Sequence, residues 1–327
     1  MKNLNRKFIE KIAVLFLLVT YMISFSFADI SSAEKKQMKK IEFEEGFITL
    51  RLGEEKTLCI SYVPKTASKE DLRFKSIDKK ALSVSKKGVI KAKKAGVGKK
   101  VKVVVYSKAN SKVRDRIWIR ILPEIDVKKP MVALTFDDGP NAPTTNRIVT
   151  TLKKNGAVGT FFEIGENLGN PENKKAVKRA FELGNEIGSH TLNHRCLTKL
   201  SSSEVKTQNS GCCKLLESIT GMKVTLMRPP YGSFHEETKK AVNMPMIMWS
   251  VDTLDWKTLD ADKTYRSAMT VKDGGIVLMH SIYSQTADAV EKIVPALRKK
   301  GVQCVTVSEL FHYKKKTLKK GRKYNNA

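Results

Sequence analysis

The chain has 327 residues, enough for two domains, and 41% of them are hydrophobic, so it can bury a core and is no disordered tail. With 61 Lys and Arg against 33 Asp and Glu, its formal charge is +28 at pH 7, which points to anionic partners. Five cysteines (Cys59, Cys196, Cys212, Cys213 and Cys304) lie scattered without a CxxC pair, which excludes a disulfide scaffold and a cysteine-built zinc site. They read as small, mostly buried residues, with Cys304 in a strand.

In chain order, Lys2, Arg6, Lys7 and Lys11 precede the apolar run 12–27, and Ser26 and Ala28 precede Asp29. That charged–apolar–small order is the plan of a secretory signal over residues 1–28, cut after Ala28. The run is shorter than the roughly 20 residues that span a bilayer. Retention as an N-terminal membrane anchor is the alternative. Either way the remainder is exported, outside the cytoplasmic membrane or in the wall. Export sets nucleic acid aside as a partner despite a pI near 9.8. The remaining anionic polymers are wall glycans, teichoic acids and lipid headgroups.

A polar linker (29–40) leads to short alternating or β-branched segments: FITLRL, KTLCISYV, ALSVS, GVIKAKKAG, KVKVVVYS and RIWIRIL. No helical period persists among them, so residues 41–123 are predicted to form a small all-β sandwich. From Lys129 the rhythm changes to strand–helix alternation. Strands are predicted at MVALTF, VGTFFEI, NEIGSH, TLMRPP, PMIMWSV, GGIVLMH and QCVTV, with amphipathic helices between. This is α/β, a parallel sheet either open or closed into a barrel, with its chemistry at the strand C-termini. The end KKKTLKKGRK, Lys314–Lys323, carries seven basic residues in ten. The tail 313–327 reads as solvated, suited to loose adhesion to an anionic wall.

The strand ends carry the candidate chemistry. GSHTLNH holds His190 and His194 four residues apart, a spacing that on a helix puts both imidazoles on one face. Spacing alone leaves a metal site and a pair of solvated histidines both open. TFDDGP places Asp137 and Asp138 side by side after an apolar strand, where a turn needs one Asp at most and two like charges favour a cation. Asp138 with His190 and His194 makes the three-protein-ligand set of catalytic zinc. Further along, RPPYG holds Arg228, Pro230 and Tyr231, WSVDTLDW holds Asp252, Asp255 and Trp256, and IVLMHS ends on His280.

Two resemblances follow. ALSVSKKGVIKAKKAGVG resembles the bacterial immunoglobulin-like domain, group two. That implies a spacer or adhesive module, here a basic one. The five strand-end segments, in order across Met131 to about Leu310, resemble the polysaccharide deacetylase family, carbohydrate esterase family four. The resemblance implies a distorted seven-stranded (β/α) barrel over 129–312 and metal-dependent removal of acetyl groups from sugars. It implies Asp137 as general base and His280 as general acid. Asp138, His190 and His194 become ligands of a divalent metal, usually Zn2+. Arg228 would orient the base, Asp255 would position and tune His280, and the Tyr231 backbone amide would face the oxyanion. Pro230, Tyr231, Trp256 and Leu278 would contact substrate, with Trp256 as a wall and Leu278 in the acetyl-methyl pocket. Ser281 replaces an aspartate common in the family, a departure expected to touch only the loop beyond the acid, and Glu163 stands at a variable position. RPPYG and IYSQTADAV resemble members acting on N-acetylglucosamine of cell-wall peptidoglycan. A monomer acting on an acetylated wall glycan is therefore expected. Deacetylation of chitin oligomers, poly-N-acetylglucosamine or acetylated xylan is the neighbouring reading, and a non-catalytic wall adhesin the reading of another class.

Overall fold

The computed structural model describes residues 37–327, so the signal or anchor and most of the linker lie outside the described residues. Nine strands come first: β1 (Lys40–Phe43), β2 (Phe47–Arg51), β3 (Glu55–Thr57), β4 (Ile60–Val63), β5 (Leu72–Ser76), β6 (Leu82–Val84), β7 (Val89–Ala92), β8 (Lys100–Ser107) and β9 (Arg114–Leu122). No α-helix interrupts them among the described residues. β8 shows why: Val101, Val103 and Val105 are buried while Lys100, Lys102 and Tyr106 alternate with them half-buried, a period of two that only a strand can use. β3, β7 and β6 form an antiparallel trio, β1 pairs with β4, and a four-stranded sheet runs β2–β9–β8–β5. Within it β2 and β9 are parallel, in register from Phe47 opposite Trp118 to Arg51 opposite Leu122.

By contact the chain divides into two compact units. The smaller holds residues 37–42, Ile60–Arg73 and Val105–Asp115; in it the Ser107 hydroxyl donates to Asp71 Oδ2 at 2.5 Å. The larger holds Phe43–Cys59, Phe74–Val104 and Arg116–Ala327, so it takes strands from before Pro123 together with everything after it. Arg51 is the reason at atomic scale. Its buried guanidinium donates from Nε and Nη2 to Glu309 at 2.6 and 2.9 Å, and from Nη1 to the Pro123 carbonyl at 3.0 Å. Phe47 and Phe181 add a ring contact at 5.3 Å.

Beyond Pro123, strand and helix alternate as predicted. The strands are β10 (Met131–Gly139), β11 (Thr160–Glu163), β12 (Glu186–Ser189), β13 (Met246–Ile247), β14 (Val251–Asp252), β15 (Ile276–His280), β16 (Gln303–Val305) and β17 (Lys323–Tyr324). The helices are α1 (Ala142–Lys154), α2 (Pro171–Glu182), α3 (Ser202–Thr220), α4 (Glu236–Val242), α5 (Asp255–Thr258), α6 (Ala261–Ala268), α7 (Ser284–Lys299) and α8 (Val307–Tyr313). β10 reads as one apolar run because it is central: it pairs in parallel with β11 and β15, and its first residues also pair with β16. The sheet order is β12–β11–β10–β15–β14. Single bridges carry the row from Ser189 to Met227 and from Met227 to Met246 of β13. TLMRPP is thus one bridge and not a strand, since Pro229 and Pro230 cannot donate to a ladder.

The core fills the space between this sheet and α1, α2, α3 and α7, with Phe136 stacked on Phe161 at 4.8 Å. Local signals set the helix limits. Ser201 and Glu204 close a capping box at the start of α3, and Gly221 ends it in the left-handed region at φ 70°.

The basic tail departs from its reading as a solvated end. β17 pairs in parallel with β13, Tyr324 lies edge-on to Phe311 at 5.0 Å, and the Ala327 amide donates to Gly274. The lysines face outward while Tyr324 and Ala327 supply apolar contact that the charge count conceals. Two of the five cysteines also differ from expectation: Cys59 is exposed and Cys196 half-buried, while Cys212, Cys213 and Cys304 are buried. Because the strands of this sheet are parallel, their C-termini share one edge, and the candidate residues gather there.

Candidate active site

The site begins with two neighbouring carboxylates that face different ways. β10 is still paired at Asp137, which lies opposite His280 of β15. Asp138 then enters the left-handed region at φ 65°, a conformation Asp tolerates better than most residues. The Asn167 side chain donates to the carbonyls of Asp138 and Gly139 at 2.8 and 3.1 Å and holds the turn. Asp137 is consequently buried while Asp138 is partly exposed.

His190 and His194 do meet, but no helix brings them together. His190 follows the last residue of β12, and the loop after it turns through left-handed Thr191 (φ 70°) and His194 (φ 57°). The His194 amide donates to Thr191 Oγ1 at 3.1 Å, closing the loop. His190 Nε2 and His194 Nε2 lie 3.3 and 3.2 Å from Asp138 Oδ1. His190 Nδ1 sits 2.8 Å from the Arg228 carbonyl, and a carbonyl only accepts, so Nδ1 carries the hydrogen and Nε2 presents its lone pair. Burial, then the neighbouring His190, lower the His194 pKa and favour a neutral imidazole. Desolvation works to raise the Asp138 pKa, yet His190 foremost, with His280 and His194, holds it below the ordinary value.

These residues fit a divalent cation. Asp138 Oδ1 is buried and has no hydrogen-bond partner among the described residues, although two imidazole nitrogens converge on it. Bonds of about 2.0–2.1 Å to one zinc centre would set tetrahedral ligand atoms roughly 3.3 Å apart, close to the observed separations.

Arg228 is fully buried and fixed by four contacts at 2.8 Å. Nε donates to the Ile247 carbonyl, Nη2 to the Met248 carbonyl, and Nη1 to both Thr135 Oγ1 and Asp137 Oδ1. Its planar face lies 4.5 Å from the Phe162 ring. A charge this deeply buried is tolerable only when paired and fully bonded. Tyr231 follows at φ 59° with its ring edge-on to His194 at 4.7 Å and 68% exposed.

On the opposite side, His280 Nδ1 lies 2.8 Å from Asp255 Oδ1, and the His280 amide donates to Asp255 Oδ2 at 2.8 Å. The Thr286 hydroxyl donates to the same Oδ2 at 2.6 Å. Burial disfavours the imidazolium, but the hydrogen bond and charge of Asp255, with Asp137 and Asp138, raise the His280 pKa to about 9. Asp137, Asp138, both ligand histidines and His280 line one cavity of about 430 Å³, along with Tyr231, Asp252, Trp256 and Leu278. Trp256 is half exposed at its rim and Leu278 is buried at its wall. Pro229 lines this cavity where Pro230 was expected; Pro230 is buried and absent from its lining.

Sequence reasoning passed over several neighbours. Thr135 and Thr286 orient Arg228 and Asp255; both sit inside quoted motifs, and only their position next to charged residues hinted at it. Ser281 is buried behind Asp137, whose carbonyl accepts from the Ser281 amide at 3.0 Å, so it does more than occupy a loop beyond the acid. Glu163, at the end of β11, is fully buried, and neither carboxyl oxygen has a hydrogen-bond partner among the described residues. Burial first, then the charge of Asp137, pushes its pKa up to about 8. A Cβ on Gly139 would collide with Glu163 Oε2 and Ser281 Oγ, which explains the glycine of TFDDGP.

Residues 124–246 match the family model for polysaccharide deacetylase. Over 192 residues the chain is 39% identical to the peptidoglycan-N-acetylmuramic acid deacetylase PdaC of Bacillus subtilis, covering 58% of this chain and 41% of that one. Over 230 residues it is 36% identical to the peptidoglycan-N-acetylglucosamine deacetylase PgdA of Listeria monocytogenes, covering 69% and 48%. The chain thus spans less than half the length of these two relatives. It also matches a peptidoglycan-N-acetylglucosamine deacetylase of Bacillus cereus, 36% identical over 57% of this chain and 70% of the relative. The solved structure of Bacillus subtilis PdaC superposes with a TM-score of 0.57 at 38% identity, covering 58% of this chain and 94% of that one. With the family model, a relative matched over most of its length and a similar solved fold all meeting on the segment that carries the site, the chain belongs to the polysaccharide deacetylase family.

Proposed function

We propose that the protein is a metal-dependent hydrolase that removes acetyl groups from N-acetylglucosamine residues of cell-wall peptidoglycan. The observation that carries this reading is the convergence, in one cavity, of the Asp138–His190–His194 triad, the Arg228-bound Asp137 and the Asp255-bound His280. A bound divalent ion, Zn2+ in this reading, would polarise the acetyl carbonyl and acidify a water. Asp137 accepts that water's proton while Arg228 keeps its other oxygen occupied and its orientation fixed. His280, held through Nδ1 by Asp255, delivers a proton from Nε2 to the leaving amine, which departs poorly as an anion. The backbone amide of Tyr231 faces the oxygen that becomes negative, Leu278 contacts the acetyl methyl, and Trp256 with Tyr231 flanks the sugar.

The curated relatives divide between the two sugars of peptidoglycan, and the N-acetylglucosamine assignment rests on the RPPYG and IYSQTADAV segments. Residues 129–312 would be the catalytic domain, closed as a distorted barrel. Residues 41–123 would be an immunoglobulin-like module that, with the basic end, holds the exported enzyme on anionic wall polymers. Purified protein incubated with defined peptidoglycan, chitin and xylan fragments tests the reading. Acetate release with mass loss on the glucosamine of peptidoglycan is expected. Release from xylan alone would overturn the substrate, and release from none would overturn the activity.

A further inference from the structure

A second cavity, of about 640 Å³, adjoins the reaction cavity and shares His194 and Tyr231 with it. Beyond that shared wall it is lined by Arg195, Cys196 and Lys199, and no carboxylate lines it. Lys199 is exposed and has no ion-pair partner among the described residues. Arg195 reaches Glu204 at 3.3 Å, but the other oxygen of Glu204 already accepts from the Ser201 amide and hydroxyl at the start of α3. Half of the Arg195 side chain stays in solvent, so its charge is only partly offset. The Cys196 thiol, with the Thr198 hydroxyl first and Lys199 also contributing, sits below its usual pKa.

The reaction cavity differs in kind. Acetylated sugar is neutral at the acetamido group, and nothing in the proposed chemistry uses two cations on the far side of Tyr231. A glycan is linear, so a sugar held with its acetyl group beside His194 must send a neighbouring sugar across one of the cavity's walls. We propose that the groove behind Tyr231 is a subsite for a carboxylate carried next to the reacting sugar, with Lys199 and Arg195 as its recognition residues. This rests on the deacetylase reading above and narrows its substrate class. The carboxylate could be that of a lactyl ether on the adjacent sugar or that of a peptide attached to it. Chitin and xylan oligomers carry neither.

Three oligomers of equal length separate these sources: a chitin oligomer, an alternating oligomer bearing free lactyl groups, and the same oligomer bearing stem peptides. Wild-type protein and the variants Lys199→Gln and Arg195→Gln are assayed for kcat/KM on each. The expected result is a preference for at least one carboxylated oligomer over chitin. Each variant should reduce that preference, the two together by roughly 3- to 30-fold. Salt should erode it too, because exposed charges are screened beyond about 8 Å at physiological ionic strength. An advantage with the lactyl oligomer assigns the lactyl carboxylate; an advantage only with the stem peptide assigns the peptide. Wild-type activity with no preference, or variants that lower all substrates equally, overturns the subsite and leaves the deacetylase reading standing. Absence of turnover on all three overturns the activity itself. Binding can then be read separately through alkylation of Cys196 in a Cys59→Ser background. A carboxylated oligomer should slow labelling more than chitin, and equal protection overturns the proposal.

Discussion

Asp137 and Asp138 are adjacent in sequence and chemically identical, yet their surroundings separate them. Asp137 faces Arg228 and Asp138 faces two imidazoles. Asp138→Ala should therefore lose metal and turnover together, read by metal analysis and acetate release. Asp137→Asn should keep metal and fold while losing roughly 100- to 10,000-fold in rate. Retention of metal by the first variant and its loss by the second would reverse the roles. His280 supplies a pH test. Its folded pKa of about 9 exceeds the roughly 6.5 of an unperturbed histidine, so the imidazolium persists through neutrality. Turnover that needs the acid form should fall as pH rises through about 9. Asp255→Asn removes the hydrogen bond and charge that raise it, so the alkaline limb of kcat/KM should move to lower pH. An unmoved limb would remove Asp255 from that role. Linkage has the same sign: stability from the His280–Asp255 pair is fully present below about 6.5 and lost as pH rises through about 9.

Among the elements, β17 is the one whose importance its composition hides. Its partner β13 presents the Ile247 and Met248 carbonyls that accept from Arg228, and the Met248 amide donates to the Tyr324 carbonyl at 2.8 Å. The chain end therefore braces the strand that braces Arg228, which in turn holds Asp137. Truncation after Tyr313 should lower the melting temperature and reduce kcat, while metal content, set by residues on the opposite side of Arg228, changes little. A truncated protein with full stability and turnover would show that the tail is dispensable. The Asp–His–His cluster shows the converse. Its residue types and order were legible, but an i, i+4 spacing suggested a helix, and two left-handed residues in a loop do the work instead. Hydrophobic periodicity has no means of reporting such a loop.

In the whole molecule, the strands before Pro123 are not a detachable bead. Arg51 in β2 and Glu309 in α8 form a buried bidentate pair 258 residues apart within the larger compact unit. Removing one partner of such a pair strands the other charge. Arg51→Met should cost about 3 kcal/mol of stability, measured by denaturant unfolding, with little change in metal affinity. A shift within a few tenths of a kcal/mol would mean solvent already screens the pair. Deleting residues 41–123 should likewise destabilise the remainder, an effect to be measured before any loss of wall retention is attributed to missing charge.

Local chemistry alone made the all-β and α/β halves, the helix caps and the list of strand-end residues readable, because period, capping and turn chemistry act over a few residues. Five motifs in order were enough for the family, since side-chain types carry reaction chemistry wherever they sit. The separation of Asp137 from Asp138 by Arg228 depended on contacts some ninety residues apart. So did the unpartnered Glu163 beside Gly139, Ser281 behind the base, and the docking of a basic tail. Burial and long-range hydrogen bonds decide those features, and neither is encoded in any stretch of neighbouring residues.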